Sequence, residues 1–248
     1  MTENLTEVLF SQRTKTAVWV LLDPDSLATE KITQNVKSAE QGGASVFLVG
    51  GSFVSHDQFD KFVAAIKGVT ELPVILFPGS SRQLSSHADG ILFTSLLSGR
   101  NPQYLIGEQV MAAPRVIAMK LPAMPTAYLL IESGRTTSAQ FVSNTMPIPH
   151  DKPALAVAHA QAAQLFGMQA VYLEAGSGAQ YPVPPAIIKK VAESTSIPLI
   201  VGGGIRSTSE AVAASEAGAK AIVIGTAVED RGGGFVKQIA NAIADKEK

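Results

Sequence analysis

The sequence predicts an α/β fold, a (β/α)8 TIM-type barrel that forms one domain over residues 1–248. Three observations predict it. Eight short, continuous apolar runs recur along the chain, helix-like patterns separate them, and the length of 248 residues matches the ~250 typical of such a barrel. Runs that are apolar throughout are buried on both faces, as in a parallel sheet covered by helices. The same pattern leaves an open doubly wound sheet as the structural alternative.

The chain opens on a polar, acidic stretch from Met1 to Ser11, read as a short extension. It lacks the charged segment and apolar run of a secretory signal. No apolar run approaches the ~20 residues of a membrane helix, so a cytoplasmic protein with no membrane span is expected. Strands follow at 18–22, 45–49, 74–77, 90–93, 127–131, 170–173, 198–201 and 221–224. Helical stripes lie between them. Phe59, Phe62, Val63 and Ile66 fall on one helix face, as do Ile187, Ile188, Val191 and Ala192. An Ala-rich stretch, 209–217, ends at Gly218, a favoured residue just past a helix terminus. A last helix carries Phe235, Ile239 and Ile243. Two segments are less regular. The stretch 95–124 turns helical near Pro102. The polar segment 136–152, with Pro147 and Pro149, reads as a long loop leading into an Ala-rich helix at 154–165, and loops of that length are commonly functional.

Composition removes several function classes. Lys and Arg number 20 against 21 Asp and Glu, a net charge of -1, and charged residues make up 17% beside 46% hydrophobic. The chain is too apolar to be disordered. It lacks the basic surplus of a nucleic-acid binder, so no nucleic-acid partner is expected. With no cysteine, thiolate nucleophiles and Cys-ligated metals are impossible.

In such a barrel the site forms from the loops after the strands' C-terminal ends. In order, these read Asp23-Pro24-Asp25, Gly50-Gly51-Ser52, Pro78-Gly79-Ser80, Glu132-Ser133-Gly134-Arg135, Tyr172-Leu173-Glu174-Ala175-Gly176-Ser177-Gly178, Gly202-Gly203-Gly204-Ile205-Arg206 and Gly225-Thr226. Glycines on the last two strands fit a phosphate, which needs backbone N–H groups unshielded by Cβ atoms. Gly176-Ser177-Gly178 strengthens that reading against plain tight turns. Asp23 ends a buried strand and Ser52 its neighbour, so their oxygens could converge on Mg2+, which takes few protein ligands when phosphates supply the rest. For Asp23, metal ligation and capping are equal readings; for Ser52 alone, capping is the stronger. Asp25, just before Ser26 and a helical stretch, reads as an N-cap.

Glu174 lies where a carboxylate could orient or deprotonate a hydroxyl beside the phosphate, or pair with Arg206 or Lys220. Tyr172 offers a phenol to a ligand or packs inside the barrel. His56, His87, His150 and His159 have no ligand-type spacing and read as loop and surface residues. Arg100 and Arg135 are candidates for a second anion or for plain solvation. No strand-end cluster contains the lysine of a Schiff-base aldolase, and no Asp-Asp-x-x-Asp motif occurs.

The chain resembles the geranylgeranylglyceryl phosphate synthase family, within the prenyl-glyceryl phosphate synthases and their second sequence group. The resemblance spans about residues 17 to 230. Its specific segments are Tyr172-Leu173-Glu174-Ala175-Gly176-Ser177-Gly178 and Ser143-Asn144-Thr145-Met146-Pro147-Ile148-Pro149. Leu21-Leu22-Asp23-Pro24-Asp25, Val49-Gly50-Gly51-Ser52, Ser98-Gly99-Arg100-Asn101-Pro102 and Pro125-Thr126-Ala127-Tyr128-Leu129-Leu130 match as well. Lys120-Leu121-Pro122-Ala123-Met124 does not look like a family signature.

The resemblance implies a prenyltransferase that joins the 3-hydroxyl of sn-glycerol 1-phosphate to geranylgeranyl diphosphate, or a related long prenyl diphosphate, and releases diphosphate. It implies Mg2+ on Asp23 and Ser52, and a glycerol-phosphate site at Tyr172, Leu173, Glu174, Ala175, Gly176, Ser177, Gly178, Gly203, Gly204, Gly225 and Thr226. Asp23 and Glu174 carry the chemistry in that reading. The tail is expected near Tyr104, Leu105 and the fourth and fifth strand ends. A homo-oligomer is implied, with transient membrane contact for the lipid product. A phosphate-binding isomerase or lyase on a phosphorylated metabolite, or a non-catalytic binder of one, would keep the same fold and phosphate site.

Overall fold

The computed structural model of the protein describes residues 4–10, 15–27, 29–55 and 57–246; His56 and the outer parts of the N-terminal stretch, 1–3 and 11–14, lie outside the described residues. Eight strands close into a parallel barrel in sequence order: β1 (Ala17–Leu22), β2 (Val46–Val49), β3 (Val74–Leu76), β4 (Gly90–Leu96), β5 (Ala123–Leu130), β6 (Ala170–Glu174), β7 (Leu199–Gly202) and β8 (Ala221–Ile224). Closure is made where β1 meets β8, with Ala17 opposite Ala221 and Val20 opposite Ile224. This is the predicted barrel and not the open sheet.

Strand alternation divides the apolar residues into two cores. Trp19, Leu48, Ile75, Leu92, Met124, Tyr172 and Ile200 point inward and fill the barrel. Their neighbours, such as Val20, Phe47, Leu129, Leu173 and Val201, point outward and meet the helices. Both faces are therefore dry, which is why the runs are apolar throughout.

The covering helices are α2 (Ile32–Gln41), α3 (Phe59–Lys67), α4 (Glu108–Ala118), α5 (Ser138–Ser143), α6 (Pro153–Leu165), α7 (Pro185–Ser194), α8 (Thr208–Glu216), α9 (Thr226–Arg231) and α10 (Gly233–Lys246). Local chemistry sets their starts. Ser207 and Glu210 form a reciprocal capping box on α8, and proline stands at the first turn of α6 and α7. A π-helical segment, Gln103–Gly107, leads into α4.

Three sequence expectations change. The N-terminal stretch is not merely a polar extension: α1 (Leu5–Phe10) plugs the bottom of the barrel. Leu5 and Leu9 are buried against the inner core, and Phe10 lies 5.4 Å from Trp19. The segment 136–152 is not all loop, because Thr137 caps α5 by accepting from Gln140 N–H and Asn144 ends it in the left-handed conformation. The strand–helix alternation also breaks once. No helix lies between β3 and β4; residues 77–89, Pro78-Gly79-Ser80-Ser81-Arg82-Gln83 in particular, carry no apolar stripe to bury. The missing helix leaves that flank to the 77–89 loop and the neighbouring helices α3 and α4.

Candidate active site

The loops at the C-terminal ends of the strands enclose one cavity of about 520 Å³. Its polar end is walled by Ser177 and Gly178 after β6, Gly203 and Gly204 after β7, and Gly225 and Thr226 after β8. Ser177 Oγ lies 3.4 Å from Thr226 Oγ1, which draws the sixth and eighth loops together. Gly203 has φ +81°, and a Cβ there would lie 2.2 Å from Glu174 Oε1 and 2.5 Å from the Gly176 nitrogen. Only glycine fits both the backbone and the space.

Two cations that sequence reasoning did not place at the phosphate line this end. The sequence offers Arg206 as an ion-pair partner of Glu174; it lines the cavity instead, donating to the carbonyls of Ala179 (2.5 Å) and Gln180 (3.3 Å). Arg231, beyond the resemblance segments, donates to the Arg206 carbonyl at 2.9 Å and stacks over Phe235 at 4.8 Å. A positive charge directly before the Gly loop's helix was visible for Arg206; nothing in the sequence marked Arg231.

Glu174 is the last residue of β6 and points into the barrel mouth. It is 5% exposed, and the Gly176 N–H donates to its Oε1 at 2.5 Å. Burial pushes its carboxyl up to about 7, against opposing stabilisation from the Gly176 N–H and the neighbouring Tyr172 hydroxyl. Among the described residues it pairs with neither Arg206 nor Lys220. Below it the Tyr172 ring stacks on Phe77 at 4.8 Å and tilts against Tyr128 at 5.6 Å. Burial, then the charge of Glu174, drives the Tyr172 and Tyr128 phenols upward, so both stay neutral. The Tyr172 hydroxyl is buried and makes no well-formed hydrogen bond among the described residues.

Three residues expected at the glycerol phosphate do not line the cavity. The side chains of Leu173 and Ala175 turn outward into the core between barrel and helices, because alternate residues of a strand face opposite sides. Ala175 N–H is spent on the Gly202 carbonyl, and Gly176 N–H on Glu174. These residues hold the loop; Ser177 and Gly178 reach the space.

Asp23, Gly51 and Ser52 border the same cavity. A Cβ on Gly51 would lie 2.7 Å from Asp23 Oδ2, so the carboxylate is packed directly on the second loop. Asp23 Oδ1 accepts the Asp25 N–H at 2.9 Å. Both Asp25 oxygens accept the Ser55 N–H, at 3.1 and 2.9 Å, tying the first loop to the second. Among the described residues no cluster of three or more His, Asp or Glu could hold a metal alone. One carboxylate and one hydroxyl suit Mg2+ only when phosphate oxygens complete the shell.

The far arm of the cavity is apolar, walled by Ile91, Leu92, Phe93, Leu96 and Ala112 beside Tyr104. It runs along the flank where no helix follows β3. Tyr104 lines the arm; Leu105 does not, and its carbonyl accepts from Ser95 Oγ. Arg100 bonds the carbonyls of Ser98 and Gly99 and stays outside the cavity. The described histidines are surface residues: His87 faces Asp60 at 3.7 Å, His150 pairs with Glu132, and His159 bonds the Leu155 carbonyl. Among the described residues no helix is long and apolar enough to cross a membrane.

Comparison with known proteins gives the same direction. The model of the PcrB family matches residues 11–243. The geranylgeranylglyceryl phosphate synthase of Korarchaeum cryptofilum is similar at 43% identity over 216 residues, 87% of this chain and 88% of that protein. That of Thermococcus gammatolerans is 47% identical over 215 residues, 86% and 84% of the two chains. The crystal structure of (S)-3-O-geranylgeranylglyceryl phosphate synthase from Thermoplasma acidophilum, in complex with its substrate sn-glycerol-1-phosphate, superposes with a TM-score of 0.91 at 36% identity and covers 99% of both chains.

Proposed function

The chain belongs to the PcrB family, and on that premise we propose that it is a geranylgeranylglyceryl phosphate synthase: it joins the 3-hydroxyl of sn-glycerol 1-phosphate to C1 of geranylgeranyl diphosphate and releases diphosphate. The observation that carries the reading is the shape of the cavity. A glycine-walled anion end with two arginines, a buried carboxylate, an acidic oxygen pair and an apolar arm follow one another along a single space. Such a sequence of surfaces suits a phosphorylated alcohol meeting a greasy diphosphate.

In this mechanism the glycerol phosphate is held by Ser177, Gly178, Gly203, Gly204 and Thr226, with Arg206 and Arg231 balancing its charge. That anchoring fixes the 3-hydroxyl near Glu174 and replaces an encounter in water. The hydroxyl oxygen bonds to C1 of the prenyl group, the C1–O bond to diphosphate breaks, and diphosphate leaves with the electron pair. Glu174, ionised in a large share of molecules at neutral pH, takes the hydroxyl proton. Asp23 and Ser52 would hold Mg2+, which when bound neutralises the departing diphosphate. The apolar arm shelters the tail and keeps water from the allylic carbon. Assembly into a homo-oligomer is supported by the exposed Ile106, Val110 and Met111 beside the arm.

Incubation with radiolabelled sn-glycerol 1-phosphate, geranylgeranyl diphosphate and Mg2+ tests the proposal. An organic-extractable ether product that disappears on chelation is expected. Absence of such a product under saturating substrates refutes it.

A further inference from the structure

We propose that Gln83 is a positioning residue for the metal end of the site, the clamp that sets Gly51 and Ser52 beside Asp23. The inference rests on the reading above that Asp23 and Ser52 hold the metal. Gln83 is 3% exposed, an uncommon setting for a polar amide. Both ends of the amide are used. Its Oε1 accepts the N–H groups of Gly51 and Gly79, both at 3.2 Å, and its Nε2 donates to the Gly51 carbonyl at 2.8 Å. One side chain therefore holds both backbone groups of the residue packed on the Asp23 carboxylate.

The surroundings are cleared for this contact. A Cβ on Gly79 would come within 2.3 Å of the Gly51 carbonyl oxygen and 2.9 Å of the Ser52 Cα, and one on Gly50 within 2.0 Å of the Phe77 carbonyl. Regular structure does not do the work instead. The ladder between β2 and β3 ends at Val49 and Leu76, and the 77–89 loop contains no helix that could brace the turn. Among the described residues no other side chain bonds to Gly51 or Gly79. Without the amide, two backbone groups of Gly51 and one of Gly79 lose their partners at the cavity wall, and the second loop is free to shift toward other partners. That shift moves the Ser52 hydroxyl relative to Asp23, the distance on which shared coordination depends.

The test compares Gln83→Met, of similar length but without polar atoms, with Ser85→Ala. Ser85 is fully buried and donates to Asp60 at 2.7 Å, away from the cavity, so it reports a structural loss alone. Mn2+ binding is titrated in the presence of inorganic diphosphate, since Mn2+ shares the oxygen preference of Mg2+. Gln83→Met is expected to raise the Mn2+ Kd about tenfold or more and KM for geranylgeranyl diphosphate with it, while Kd for sn-glycerol 1-phosphate without metal stays within about twofold. Ser85→Ala is expected to lower the melting temperature with no change in Mn2+ Kd. If Gln83→Met does not fold, Gln83→Asn, whose shorter amide keeps polar atoms in the space but cannot reach both loops, takes its place. A folded variant whose Mn2+ Kd stays within about twofold of wild type overturns the assignment. Wild-type protein that binds no Mn2+ with diphosphate overturns the metal reading and this inference together.

Discussion

Replacing Glu174 by glutamine should stabilise the protein at alkaline pH while it disables the chemistry. The carboxyl is held up to about 7 from its ordinary 4.5 by burial. The folded state therefore binds this proton more tightly than the unfolded chain, and stability falls as pH rises through that window. Stability is at its fullest below ~4.5, declines up to about 7, and the loss is complete above it. At 1.36 kcal/mol per pH unit, the interval puts the cost of the buried charge at about 3 kcal/mol. Glutamine never carries that charge. It accepts from the Gly176 N–H as the protonated carboxyl does, and the bond's preference for the charged form is already contained in the shift. Glu174→Gln should then be about 3 kcal/mol more stable than wild type at pH 8, a melting temperature higher by roughly 6–12 °C in a chain of this size. Near pH 5 the two proteins should melt within about 3 °C, because the folded wild-type carboxyl is still protonated and only the unfolded chain has begun to ionise. The same variant should lose roughly 100-fold or more in kcat, and wild-type turnover should rise with pH through the region near 7. Thermal melts at both pH values decide the matter. A melting difference that is the same at pH 5 and pH 8 would refute the buried-charge argument, whatever the activity does.

Three further outcomes are expected. Gly203→Ala forces a side chain into φ +81° and against Glu174 Oε1, so it should cost about 2 kcal/mol or more in denaturant unfolding and lower kcat/KM at least ~10-fold; normal activity would remove Gly203 from the anion wall. Asp23→Asn should lower kcat by more than about tenfold, with sn-glycerol 1-phosphate affinity by calorimetry changed less than ~3-fold, because it acts on the diphosphate end. Leu9→Ala, in the helix that plugs the barrel floor and 1% exposed, should cost about 2–5 kcal/mol of stability yet leave kcat unchanged, since the reacting groups lie at the opposite end of the strands.

Much of this molecule is decided locally. The eight apolar runs read as strands buried on both faces, and the C-terminal ends of parallel strands gather on one side, so the place of Asp23, Glu174 and the final glycine turns at the cavity was legible from order. The segment Tyr172 to Gly178 was legible as a unit, though not in its parts. Which of its residues face the space depends on the strand's phase: Glu174 and Tyr172 turn inward, and Leu173 and Ala175 outward. Tertiary structure alone decided contacts between distant loops. Gln83 bonding Gly51, Arg231 bonding Arg206, and α1 closing the floor join residues with no mutual sequence pattern. The elevated carboxyl of Glu174 belongs to the same class, because desolvation comes from every strand around it. Periodicity along a chain encodes which face of an element is dry; the polarity, reach and protonation of a site depend on what the closed barrel places across from it.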